Sequence, residues 1–293
     1  MQVLTEANNF LGLSDPKHFG YDTAQVVFQS LPYEYSSSYH HGSKLGPKAI
    51  LKASHYVEFY DEEIKKETCF EQGICTLEPL DFQDAINEEA IQLIYQHSSK
   101  IIQDNKFLVS LGAEHTVSFG IIKAISEHYS DLSILQIDAH SDLRQEYEGS
   151  KWSHASVMAR VTELGLPITQ IGIRAQCKEE AELIRLTDSI NTFYAHQIRA
   201  NKDWMEQALN TLNNNVYITI DADGFDPSIM PAVGTSEPNG LYWDETIAFF
   251  KRIFAEKNVV AFDIVECAPR EIDTLTEYNL AKLAYKLIGL KYK

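Results

Sequence analysis

The run Asp138-Ala139-His140-Ser141-Asp142 sets three potential metal donors at alternate positions. In an extended segment alternate side chains project the same way, so all three can enter one pocket. Asp221 and Asp223 repeat the spacing, and His115 closes the segment Gly112-Ala113-Glu114-His115. Four carboxylates gathered in a dry pocket repel and take up protons unless a cation neutralises them. Two imidazoles and four carboxylates suit a hard to borderline divalent ion such as Mn²⁺, with donors enough for two ions and bridging aspartates. A lone DxD after a strand is as readily a turn or a helix cap. Three such segments in one chain, each after an apolar run, point to a metal centre.

The elements that must position these residues are legible as short apolar runs at 24–30, 74–77, 107–111, 132–138, 168–173, 191–194, 216–221 and 259–265. Most are continuously apolar rather than alternating, as strands buried on both faces of a parallel sheet are. Helical patterns lie between them at 47–60, 84–103, 116–129, 154–164, 178–187, 204–212, 245–256 and 274–290; over 84–103 the stripe Ile86, Ala90, Ile94 is spaced by four. Strand and helix alternate with no linker or internal repeat. This predicts a single domain over 1–293, a three-layer α/β/α fold with a mainly parallel sheet of about eight strands. Ligands of such sheets bind past the carboxyl ends of the strands. There lie His115 after 107–111, the Asp138 run after 132–138, Asp221 and Asp223 after 216–221, and Glu266 after 259–265.

Composition removes other classes. Acidic side chains number 42 against 25 basic ones, a net charge of -17, and no Lys/Arg run is longer than pairs such as Lys65-Lys66. A phosphate backbone needs a basic stripe, so nucleic acid is not an expected partner. The acid excess can instead help steer a cationic substrate. Apolar runs such as Val259-Val260-Ala261-Phe262 fall far short of the roughly 20 residues that span a bilayer. The first residues lack a basic and then apolar leader, so no secretory signal is expected. Cys69, Cys75, Cys177 and Cys267 show neither CxxC nor zinc-finger spacing, which suits reduced thiols in the cytoplasm.

Taken together, Gly112-Ala113-Glu114-His115-Thr116, Asp138-Ala139-His140-Ser141-Asp142 and Asp221-Ala222-Asp223-Gly224-Phe225-Asp226-Pro227 resemble the motifs of the ureohydrolase family, the arginases and agmatinases. Val233-Gly234-Thr235-Ser236-Glu237-Pro238 and Asp263-Ile264-Val265-Glu266 extend the resemblance over nearly the whole chain. The resemblance implies two Mn²⁺ ions, with Co²⁺ or Ni²⁺ as alternatives. His115 and Asp142 would bind one, His140 and Asp223 the other, and Asp138 and Asp221 would bridge both. Water shared by two cations supplies hydroxide near neutral pH, which would attack a guanidinium carbon. Asp142 would accept a hydrogen bond from it. Glu266 would hold the planar guanidinium. His154, in Trp152-Ser153-His154-Ala155-Ser156, would contact substrate and carry a proton to the leaving amine. Ala113 replaces the second glycine usual in the family, without touching a ligand position. The resemblance also implies a homo-oligomer, a trimer or hexamer.

The substrate tail is less constrained. Arginases usually carry Asn two places beyond the last Asp of DxHxD, and Gly-Met-Pro after the shuttle histidine. Here Arg144 and Ala155-Ser156-Val157 stand there, and the stretch 142–158 resembles prokaryotic agmatinases. Agmatine, a small dication cleaved to putrescine and urea, a step of polyamine synthesis, is the expected substrate. Guanidinobutyrate, guanidinopropionate and guanidine are the alternatives, and Arg144 could pair with the carboxylate of a guanidino acid. Arginine fits less well. The loop histidines His40 and His41 either touch the tail or face solvent. A single-zinc deacetylase of the same architecture would need fewer ligands than the six present.

Overall fold

The computed structural model describes residues 1–293. Eight strands form one sheet: β1 (Val26–Leu31), β2 (Ile74–Thr76), β3 (Phe107–Gly112), β4 (Leu132–Ile137), β5 (Ile168–Ile173), β6 (Ile190–Tyr194), β7 (Asn215–Asp221) and β8 (Asn258–Val265). Their order is β2-β1-β3-β8-β7-β4-β5-β6 and every pairing is parallel. Parallel neighbours require crossovers, so helices cover both faces. Val26 and Phe28 of β1 join one apolar core with the helices Gly46–Ser54, Trp243–Glu256 and Leu275–Lys291. Val27 and Leu31 face a second core with Glu88–Gln103, Val117–Ser126 and Val157–Glu163. These are the three expected layers. No helix is long and apolar enough to cross a membrane.

Every strand expected from the sequence is present within two residues of its ends. Helix ends differ more. The helix expected over 47–60 stops at Ser54, whose hydroxyl donates to Leu51 O at 2.6 Å and accepts Leu11 N at 2.8 Å. The N-terminal segment thus competes for the last turn. The helix expected from 245 begins at Trp243, because Glu245 Oε1 accepts Tyr242 N at 2.8 Å and caps the first turn. Short helices at Pro16–Phe19, Thr68–Gln72 and Ala195–Ile198 are too brief to leave a periodic pattern.

The strands are less uniformly apolar than their sequences suggest. In register across the sheet stand Gln29, Ser110, Asp263, Thr219, Gln136, Gln170 and Thr192, one on each of β1, β3, β8, β7, β4, β5 and β6. Six of the seven are fully buried. A buried polar row is tolerable only if it is paired. Gln29 Nε2 donates to Ser110 Oγ at 2.8 Å, Thr219 Oγ1 to Asp263 Oδ1 at 2.7 Å, Gln170 Nε2 to Gln136 Oε1 at 2.7 Å, and Thr192 Oγ1 to Gln170 Oε1 at 2.7 Å. The row runs two residues before Asp138, just past the end of β4, and Asp221, the last residue of β7. Those aspartates therefore project to the same face as the row.

The segments after β4 and β7 pack backbone to backbone. A Cβ on Gly224 would lie 2.8 Å from Asp138 N and 3.0 Å from Asp138 Cα. Neither atom is at the end of a flexible side chain, so the strand ends would have to part. Gly224→Ala is expected to cost about 1–3 kcal/mol, the usual range for overpacking. Calorimetric melting reads this as a lower Tm; an unchanged Tm would show that the strand ends can move apart freely.

Candidate active site

Four adjacent strands at the centre of the sheet, β3, β8, β7 and β4, end in the four segments that carry the candidate residues. His115 Nδ1 lies 3.1 Å from Asp138 Oδ2, 3.0 Å from Asp142 Oδ2 and 3.4 Å from Asp221 Oδ2. His140 Nδ1 lies 3.0 Å from Asp223 Oδ2 and 3.8 Å from Asp138 Oδ1. Two donor groups result, His115 with Asp138 and Asp142, and Asp138 with His140 and Asp223, and Asp138 belongs to both. Donors on adjacent corners around an ion at about 2.1 Å sit about 3 Å apart. All six residues singled out from the sequence are brought together.

The tautomer of His115 follows from its partners. Thr219 Oγ1 donates to Asp263 Oδ1 and therefore accepts from His115 Nε2 at 2.9 Å. The Tyr217 hydroxyl bonds the other oxygen of Asp263. In the neutral ring Nδ1 is therefore the lone-pair nitrogen, buried amid three carboxylates that draw either a cation or a proton to it. A buried orphan nitrogen facing anionic oxygens is what a cation would complete, so the residues fit a divalent metal.

The aspartates are held from behind. Asp138 accepts His140 N at 2.6 Å and Gln136 Nε2 at 2.7 Å. Asp221 accepts Asp223 N at 2.8 Å, and Asp223 accepts Ala139 N at 3.1 Å. Thr235 Oγ1 donates to Asp223 Oδ2 at 3.4 Å, which brings the Val233–Pro238 segment onto the site. Arg174, just past β5, donates to Asp223 O at 2.6 Å, Gly224 O at 3.2 Å and Glu237 O at 2.9 Å, and so binds both loops to the sheet. Asp142 and Glu266 have φ of 53° and 63°. Left-handed backbone at non-glycine residues costs about 1–3 kcal/mol each and recurs at functional sites. At Asp142 this turn sends the carbonyl to Met158 N at 2.9 Å and Ala159 N at 3.2 Å, capping a helix, while the side chain meets His115.

Glu266 Oε1 accepts His115 N at 2.7 Å, which places it beside the cluster. His154 lies across the cavity at the start of a short helical turn. Ser36 Oγ donates to Glu114 Oε1 at 3.1 Å and stands 3.0 Å from His154 Nδ1, so Nδ1 is the donor and Nε2 keeps a lone pair. Glu114 is itself fixed by Tyr35 N at 2.8 Å and Ser36 N at 2.6 Å. The cavity is about 310 Å³ and is lined by His140, Asp142, Arg144, Tyr147, His154 and Thr235, among others. That volume takes a small molecule. The Arg144 guanidinium lies 5.6 Å over the Tyr147 ring. His41 is exposed, 3.6 Å from Glu34, and the His40 ring lies tilted at 51° against the exposed Tyr39; neither lines the cavity.

Sequence reasoning assigned no role to Glu114, Ser36, Thr219, Asp263, Gln136 or Arg174. Glu114 and Asp263 lie inside the motifs quoted above; Gln136 acts on Asp138, two residues on, from within an apolar strand, and Ser36, Thr219 and Arg174 act through partners far away in the chain.

Charge crowding sets the protonation pattern. Burial raises the Asp138 carboxyl, and Asp142 and Asp223 push it further, to about 7. Burial, then the charges of Asp223 and Asp138, hold Asp221 well above an ordinary carboxylate. Burial opposes ionisation of Asp223 as well, but His140 beside it draws it below the usual range. Burial works to lower His115 and His140, yet the carboxylates around them hold both well above an ordinary imidazole. Glu266 is raised by burial and then by Glu114.

These shifts set how stability of the metal-free protein varies with pH. A raised carboxyl binds its proton more tightly folded than unfolded, so its stabilisation is lost as pH climbs from about 4 through about 7. A raised histidine loses its contribution as pH climbs above about 6.5. Both have the same sign; lowered Asp223 matters only below about 4. Protein stripped with EDTA should therefore melt lower at pH 8 than at pH 5, and added divalent metal should close the gap at pH 8. A metal-free Tm that rises between those values contradicts the crowding.

A family model described as Arginase family matches residues 24–289. The chain is 42% identical over 289 residues, 94% of each chain, to the N(1)-aminopropylagmatine ureohydrolase of Synechocystis sp.. It is 33% identical over 259 residues, 86% of each chain, to the agmatinase of Bacillus cereus. The crystal structure of the agmatine ureohydrolase of Thermoplasma volcanium superposes with a TM-score of 0.85 at 29% identity, covering 100% of this chain and 94% of that one. A sheet whose four central strands end in these motifs, matched along the length of such relatives, means that the chain belongs to the arginase family of ureohydrolases.

Proposed function

We propose that residues 1–293 form one ureohydrolase domain that releases urea from agmatine and from its N(1)-aminopropyl derivative, using two Mn²⁺ ions. The observation that carries this reading is Asp138, shared by two donor groups that each contain a histidine. His115 and Asp142 would hold one ion and His140 and Asp223 the other, with Asp138 and Asp221 available to both. The ions supply Lewis acidity and make water acidic enough to serve as a nucleophile near neutral pH. Co²⁺ or Ni²⁺ would suit the same donors.

The side chains do the rest. Asp142 accepts a hydrogen bond from the attacking water and orients it. Glu266 faces the planar guanidinium and positions its carbon by charge-assisted hydrogen bonds. His154 donates Nδ1–H to Ser36 and presents the Nε2 lone pair to the cavity, where it can take up the proton that the attacking water gives up and pass it to the departing amine. The names of the relatives support a linear aliphatic amine as the tail, and the 42% identity to an N(1)-aminopropylagmatine ureohydrolase favours the longer substrate. A cytoplasmic homo-oligomer, a trimer or hexamer, completes the proposal.

One observation favours a second reading. The Arg144 guanidinium lines the cavity with no side-chain hydrogen bond, so it could pair with the carboxylate of a guanidino acid. Urea release by Mn²⁺-loaded protein from agmatine, N(1)-aminopropylagmatine, 4-guanidinobutyrate, 3-guanidinopropionate, guanidine and arginine separates the two. The amine-tailed substrates are expected to lead by at least about 100-fold in kcat/KM, about 2.7 kcal/mol of transition-state preference. A lead for guanidinobutyrate that Arg144→Ala erases establishes the second reading. Silence on the whole panel, with Ni²⁺ and Co²⁺ as well, sinks both.

The role of Glu266 has its own test. Glu266→Gln should abolish turnover while bound metal stays near the wild-type amount. If metal is lost together with activity, Glu266 supports the cluster through His115 and does not hold substrate.

A further inference from the structure

A second and larger cavity, about 580 Å³, lies apart from the metal cluster and shares no lining residue with the catalytic cavity. It opens where β1 ends, between the N-terminal segment, the helix Gly46–Ser54 and the chain after β2. Its wall carries Lys44, Lys48 and Lys52. Lys48 and Lys52, four apart in the helix, share one of its faces, and Lys44 stands in the turn just before it. Like charges at that spacing repel, and none of the three ammonium groups makes an ion pair or hydrogen bond within the chain. In a protein of net charge -17 this is an unusual local excess of free cations. Glu78 is the one carboxylate on the wall.

The floor adds an independent observation. Ser30 on β1 is 2% exposed, lines the cavity, and its Oγ has no hydrogen-bond partner. A buried hydroxyl left unpaired is costly unless something in the cavity satisfies it. Leu4, Leu45 and Leu51 supply apolar surface beside it, and Leu45 is 55% exposed. The first turn of the helix, at Pro47, lies on the same wall and adds the positive end of the helix dipole.

We propose that this cavity binds a small organic anion carrying two or more negative charges on an apolar body. The anionic groups meet the three lysines, the body rests on the leucines, and one acceptor oxygen takes the proton of the Ser30 hydroxyl. Nothing in the proposed ureohydrolase reaction uses this cavity, so the two claims stand or fall separately.

Naphthalene-1,5-disulfonate is a suitable probe, because its sulfonates chelate divalent metals poorly and its body is apolar. Titrated into metal-loaded protein by calorimetry, it is expected to bind saturably at one site per chain. Lys48→Ala with Lys52→Ala should weaken binding at least tenfold, and Ser30→Ala severalfold, with the metal content of each variant unchanged and its Tm no lower than the wild type's. Absence of saturable binding overturns the site. So does equal binding by the lysine variant, which would put the probe elsewhere. Binding that ignores Ser30→Ala would mean charge condensation on the surface. A smaller oligomer for the lysine variant in sedimentation would mean that these lysines face a second copy of the chain instead.

Discussion

Repulsion among four carboxylates in one buried corner is the constraint on which this structure depends. Asp138, Asp142, Asp221 and Asp223 converge on two imidazoles with little solvent to screen them, and all four are less than a tenth exposed. At an effective dielectric near 20, like charges about 4 Å apart repel by about 4 kcal/mol. Protons relieve some of this in the metal-free protein, which is why Asp138 and Asp221 rise while Asp223, next to His140, falls. Divalent cations relieve it better, since each offsets two charges and accepts several lone pairs.

The scaffold must hold this arrangement against its own repulsion. Loops alone would spread. Instead the donors sit at the ends of four central parallel strands, and the polar row two residues behind them grips two of them directly or through a histidine. Gln136 reaches Asp138, and Thr219 with Asp263 orients His115. The row is an expense in a buried sheet, and Thr219 and Gln136 recover it by fixing donors. Asp142 and Glu266 show the same logic in the backbone. Each holds a left-handed conformation that the surrounding hydrogen bonds over-determine.

Much of this was legible in the sequence, and for a physical reason. Period-two and period-3.6 patterns are local, so the eight strands could be read to within two residues of their ends and the main helices to within about six. A strand end is local too, so His115, Asp138, His140, Asp142, Asp221, Asp223 and Glu266 could each be placed on the correct side of the sheet. Pairing is not local. Nothing in the segment around β8 says that it lies between β3 and β7, so the alignment of Ser110, Asp263 and Thr219 was invisible, and the strands that carry the row read as mostly apolar. Ser36 and His154 are 118 residues apart, and their contact depends on how the β1 connection folds over the site. Arg174 followed a strand like any surface cation, although it donates to carbonyls of two loops.

The same division separates reaction from substrate. The six candidate donors are built on strand ends, where geometry is rigid. The rest of the cavity and its supports are built on connections: 32–45 with Ser36, 143–156 with Arg144, Tyr147 and His154, and 233–240 with Thr235. Connections tolerate change, because their backbone groups are met by scattered partners rather than by a ladder. A chain can therefore keep the chemistry of urea release while its loops are remade for a different amine or acid. This is why the six candidate donors are marked by residue type and strand-end position, while nothing comparable in the sequence marks the length and charge of a substrate tail.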